Sequence, residues 1–79
     1  MPYLSPAEYV IIKFGGVRKT ARILKRDPSA VCKWKKPREH NGRGGEIPGL
    51  LWKAILEHAQ IHNIDITLTD LYAGRTVVF

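Results

Sequence analysis

Val17-Arg18-Lys19-Thr20-Ala21-Arg22-Ile23-Leu24-Lys25-Arg26-Asp27-Pro28-Ser29-Ala30-Val31-Cys32-Lys33-Trp34-Lys35-Lys36 is the stretch from which the rest of the chain can be read. Val17, Thr20, Ala21 and Leu24 recur at i, i+3, i+4 and i+7, the spacing of one buried face of a two-turn helix. Arg18, Lys19 and Arg22 fall off that face. The periodicity stops at Lys25-Arg26, and Asp27-Pro28 then supplies an N-cap and a first-turn proline, which starts a second helix almost at once. Along that helix Ser29, Cys32, Lys33 and Lys36 form one row, while Ala30, Val31 and Trp34 point to the core side. Two short helices joined by a tight turn make one supersecondary unit, a helix-turn-helix.

The flanks supply the remaining helices. Ser5-Pro6-Ala7-Glu8 reads as an N-cap, a first-turn proline and a capping box in which Glu8 reaches the Ser5 amide. Ala7, Val10, Ile11 and Phe14 then give a buried face, and Gly15-Gly16 ends the helix. Residues 37–46 are polar and glycine-rich; with no hydrophobic anchor they are expected to be the most mobile internal segment. Leu51, Trp52, Ile55, Leu56 and Ala59 mark a fourth helix of roughly four turns, from about Pro48 to His62. Thr67 and Asp70 can cap a fifth, Leu68 to Ala73, with Leu68 and Leu71 inward and Gly74 at its end. The tail from Arg75 to Phe79 has strand propensity and could be a frayed end, an added strand or a dimer contact. The expected fold is all-α: one domain over residues 1–79, a compact five-helix bundle with a possible C-terminal strand.

Seventy-nine residues allow one core and leave no room for a separate sensor lobe. Cys32 is the only cysteine, so no internal disulfide forms, and the N-terminus has neither a basic flank nor a long apolar run. A soluble cytoplasmic protein is expected, with no membrane partner. The net charge of +6 is unevenly placed. From Lys13 to Arg43 there are eleven Lys and Arg against two acids, Asp27 and Glu39, a net of +9, whereas the remainder carries a net of −3. A localised basic field is the footprint of a polyanionic partner, and a helix has the width to enter the DNA major groove.

The segment Phe14 to Trp34 resembles the helix-turn-helix of the small all-helical Cro and lambda-repressor-like proteins of phages. Ala21 matches the small residue in the middle of the first motif helix, Asp27 the polar N-cap of the second, and Val31 and Trp34 its core positions. Lys25 departs from the pattern, because the family usually has glycine at the left-handed turn position; lysine there costs about 1 kcal/mol or a little more. The resemblance implies a transcriptional regulator, a repressor or competitor at an operator in phage or prophage control, binding double-stranded DNA as a homodimer. By position it assigns base contacts to Ser29, Cys32 and Lys33, with Pro28 near the groove floor and Lys36 at the exit. Lys33 could donate to guanine O6 and N7. Arg18 and Lys19 would hold phosphates beside a helix N-terminus, as would the flanking Arg22, Lys35 and Arg38. Arg43-Gly44-Gly45 could add a cation and main-chain amides along the backbone. Helix five and Val77 to Phe79 are the candidate dimer surfaces.

Other signals carry less. Cys32, His40, His58 and His62 are zinc-ligand types, but Cys32 and His40 are eight apart and make no close pair, so no metal is expected. No nucleophile, base and orienting acid fall together, so neither enzyme activity nor a cofactor or small-molecule ligand is expected. Trp34 and Trp52 lie on apolar stripes, where packing outweighs stacking on bases. The rival readings are an antitoxin or anti-repressor that holds another protein, and a nucleic-acid binder acting through charge alone.

Overall fold

The computed structural model describes residues 3–36, 39, 42 and 44–76. Among these the chain runs β1 (Tyr3–Leu4), α1 (Pro6–Phe14), α2 (Val17–Leu24), α3 (Pro28–Lys35), α4 (Trp52–Ile61), α5 (Leu68–Ala73) and β2 (Arg75–Thr76). A 3₁₀ turn over Gly49–Leu51 leads into α4, so this helix starts later than its apolar stripe suggests.

The first helix forms for the local reasons its sequence advertises. The Ser5 hydroxyl accepts from the Glu8 amide, and Pro6 stands where an N–H would have no partner. The Glu8 carboxylate takes the Ser5 hydroxyl at 3.0 Å instead of the Ser5 amide, so the reciprocal half of the expected capping box is replaced by a side-chain bond. At the other end Gly15 turns left-handed (φ 97°). The Gly16 amide reaches back to the Ile11 carbonyl and the Gly15 amide to Ile12, closing a Schellman cap. Along its length α1 buries Ala7, Tyr9, Val10, Ile11 and Phe14 and packs against α2, α3 and α5.

The core around α1 receives Ala21 and Leu24 from α2, Val31 and Trp34 from α3, Ile55 and Ala59 from α4, and Leu71 from α5. Leu51 of the 3₁₀ turn, with Ile47 and Ile66 outside the helices, completes it. Thr20 is fully buried, its hydroxyl satisfied by the Gly16 carbonyl at 2.7 Å. Ala30, expected on the core side of α3, is exposed: the inner face is narrow enough to be filled by Val31 and Trp34.

The first and last described segments meet. β1 and β2 pair antiparallel, Tyr3 opposite Thr76 and Leu4 opposite Arg75, so Arg75 and Thr76 belong to an added strand. Val77, Val78 and Phe79 lie outside the described residues. Thr67 and Asp70 cap α5 reciprocally, as expected. Asp70, buried at 4% exposure, also takes a two-pronged bond from Arg75, whose third nitrogen reaches Asp65 at 2.7 Å. Leu68 does not pack inward but is 57% exposed. The inner face of α5 is centred between Asp70 and Leu71, which at 100° per residue leaves Leu68 about 110° away.

At the C-terminal end of residues 37–46, where no hydrophobic anchor is expected, the main chain itself is tied to the fold. Gly45 is buried, donating to the Trp34 carbonyl at 2.6 Å and accepting from the Ala7 amide at 2.9 Å. A Cβ there would lie 2.6 Å from the Ser5 Cβ, at a φ of +90°, so glycine is what lets this backbone cross the start of α1. No helix among the described residues is long and apolar enough to cross a membrane.

Candidate nucleic-acid interface

The site is built on the three residues between α2 and α3. Leu24 ends α2, and Lys25 takes the left-handed conformation at φ 55°, ψ 47°. The Arg26 amide then donates to the Ala21 carbonyl at 2.8 Å and the Lys25 amide to Arg22 at 3.3 Å. This is again a Schellman cap, so lysine occupies a position that glycine would hold without strain. Asp27 follows in extended backbone and caps α3, its carboxylate accepting from the Ser29 amide at 2.8 Å and the Ser29 hydroxyl at 2.6 Å. The Ser29 hydroxyl, then its amide, hold the Asp27 carboxyl below the ordinary carboxylate range, with Lys33 adding to the effect.

Pro28, Ser29 and Lys33 are exposed on α3, and Cys32 is half-buried. The Ser29 proton is already given to Asp27, so toward a ligand this hydroxyl offers its lone pairs. Lys36 stands one residue beyond α3 with extended backbone (ψ 147°), so it leaves the helical row in which its spacing placed it. Its carbonyl accepts from the Gly44 amide at 2.9 Å. The Gly44 and Gly45 amides are both spent inside the fold, which removes them as phosphate donors. Arg38, His40 and Arg43 lie outside the described residues.

On α2, Arg18, Lys19 and Arg22 are exposed, as is Lys35 at the end of α3. Arg18, Arg22, Arg26 and Pro28 converge around Ala21 on an open cleft of about 440 Å³ between the two helices. Arg26 is the residue that sequence reasoning left out. It falls where helical periodicity stops, and only the turn geometry brings it to the start of α3 beside the cations of α2. Ala30 likewise joins the exposed side of α3, where with Arg26 and Trp34 it borders a smaller apolar groove.

The remaining candidates occupy other places. Trp34 is buried in the core, and the Trp52 indole donates to the Ile47 carbonyl at 3.1 Å. The His58 and His62 rings are 4.2 Å apart, and among the described residues no group of three or more His, Cys, Asp or Glu is placed to hold a metal ion. No family model, curated protein or solved structure matches the chain.

Proposed function

We propose that the chain is a sequence-specific binder of double-stranded DNA that lays α3 in the major groove and acts as a repressor or competitor at an operator. The observation that carries the reading is the joining, on one face, of the exposed start of α3 to Arg18, Arg22 and Arg26 on either side of a tight turn. A helix about 10–12 Å across fits a groove about 12 Å wide. In that position Pro28, Ser29, Cys32 and Lys33 face base edges and Lys36 lies at the exit. Arg18, Lys19, Arg22 and Lys35 meet phosphates, and Arg26 joins them. Phosphate contacts set the register, while α3 carries the discrimination.

One domain of this size covers few base pairs, so a symmetric pair reading half-sites about 34 Å apart is the natural assembly. On α5, Leu68 and Tyr72 lie one turn apart and are 57% and 78% exposed, which supports this helix as part of the pairing surface. Phage or prophage control is the setting that the resemblance of the α2–α3 segment suggests.

The test is a titration against random and selected duplexes at several salt concentrations. Sequence-specific binding should exceed non-specific binding by at least about a thousandfold. A strong salt dependence without preference would mark a binder acting through charge alone. No affinity for either duplex would leave the unit as scaffold in a protein-interaction module.

A further inference from the structure

A second cleft, of about 500 Å³, opens between the end of α1, the outer side of α2 and the last turns of α4. That volume is in the range of small-molecule sites. Its charged lining is Lys13, Lys19 and Arg22, and none of the residues lining it is an acid. The ion pairs among the described residues lie elsewhere, at Lys53–Glu57 and at Arg75 with Asp65 and Asp70. Asp65 feels the charge of Lys13, but its carboxylate is already held by Arg75 at 2.7 Å. Lys19 and Arg22 therefore line one concavity with no carboxylate in its lining, joined by Lys13, whose ammonium also stands over the Tyr9 ring at 5.6 Å.

The rest of the lining is apolar or aromatic. Phe14, Ile23 and Ile64 provide hydrocarbon surface. His58 stands edge-on to Phe14 at 5.1 Å between ring centroids and lies against His62 at 4.2 Å with the two rings tilted by 39°. A bare inorganic anion would leave this surface wet, and a neutral apolar molecule would leave the cations without a partner. Both features are used together by a flat apolar body carrying one acidic group.

We propose that this cleft binds a small aromatic organic acid, its anionic group held by Lys13, Lys19 and Arg22 and its ring laid against Phe14, Ile23, Ile64 and the His58–His62 pair. The site does not depend on the DNA reading, although Lys19 and Arg22 serve in both. If both hold, the acid and DNA phosphates compete for those two cations.

Burial, and then the neighbouring His62, hold the His58 imidazole below its ordinary value. The charged groups that line the cleft with it are Lys13 from α1 and Lys19 and Arg22 from α2, and His62 lies beside it one residue beyond α4. The two lysines and the arginine are cationic. A bound anion reverses that field, and binding is accompanied by proton uptake.

The experiment is a nuclear magnetic resonance titration of the full chain, without DNA and at constant ionic strength. The probes are benzenesulfonate, methanesulfonate and benzyl alcohol, at about pH 8 and about pH 5.5, on either side of the usual imidazole value. Benzenesulfonate keeps one charge throughout, so any pH effect belongs to the protein. It should bind at least about tenfold more tightly than either partial probe, from burial of the ring. It should shift resonances of Ile23, His58 and Ile64, and bind more tightly at the lower pH. Arg22→Gln, at an exposed position, should weaken it several-fold, and His58→Gln should reduce the pH dependence. Equal affinity for methanesulfonate and benzenesulfonate, or shifts centred on Ser29 and Lys33, would overturn the proposal.

Discussion

Replacing Lys25 with glycine tests the turn on which the α2–α3 unit depends. Lys25 holds φ 55° and ψ 47°, where the Cβ of an L-residue crowds its own backbone at a cost of about 1–2 kcal/mol. Glycine removes that crowding but loses about 0.5–1 kcal/mol more backbone entropy on folding. The Lys25→Gly chain should therefore be more stable by about 0.5–1 kcal/mol, since both cap bonds to Ala21 and Arg22 are made by main-chain amides that glycine retains. For a domain of this size the melting temperature should rise by roughly 2–8 °C. Urea denaturation should show a higher midpoint at unchanged slope. Lys25→Ala is the necessary control, because it removes a charge from between Arg22 and Arg26 while keeping the Cβ. If alanine stabilised as much as glycine, charge repulsion and not backbone strain would be the cause. A loss of stability in Lys25→Gly would mean that the left-handed turn is not in place.

Four further perturbations probe other parts of the molecule. Ala21→Leu puts a larger side chain at a fully buried position of α2 in the layer it shares with α3; a loss of about 1–3 kcal/mol is expected in chemical denaturation, and neutrality would mean the two helices are not closely apposed. Arg75→Ala takes the two-pronged partner from the buried Asp70 carboxylate and should cost about 1–3 kcal/mol, with Arg75→Lys recovering only part because lysine cannot present the same fork. His58 binds its proton less readily folded than unfolded, so its contribution is complete above the ordinary imidazole value of about 6.5 and is lost as the pH falls below it; a melting temperature that declines from neutral pH toward pH ~5, and declines less in His58→Gln, is expected, and an identical slope in the two chains would remove His58 as the cause. On the DNA reading, Lys33→Ala should relax preference at one base pair by about 1–3 kcal/mol while Arg18→Ala weakens all duplexes alike; an intact preference in Lys33→Ala would mean the reading face is misplaced.

The helices were legible where local chemistry and periodicity agree. Ser5-Pro6, Asp27-Pro28 and Thr67 with Asp70 each announce a start through a side chain that satisfies an amide within three residues, and α1, α2, α3 and α5 begin at those signals or immediately after a glycine pair. The exposed row of α3 was legible to the same extent, since Val31 and Trp34 define an inner face that leaves Ser29 and Lys33 outside. Periodicity read too far at Lys36, because a spacing pattern does not register where the helix stops. It read wrongly at Leu68, where a hydrophobic residue was assigned inward although the buried face is shared with a charged one, Asp70.

The amino-acid sequence by itself therefore determined the helical segments, the concentration of positive charge between residues 13 and 43, and the faces of α1 and α2, because these depend on neighbours within a turn or two. Only the tertiary structure decided the pairing of β1 with β2, the burial of Gly45 across α1, the fork of Arg75 on Asp70, and the meeting of Arg26 with Arg18 and Arg22. Each of these joins residues that are far apart in the chain or separated by a turn, and their contact is set by the packing of whole elements. The left-handed turn at Lys25 belongs to both. Its residue type argues against that conformation, and the two helices it joins, held on a shared core, impose it.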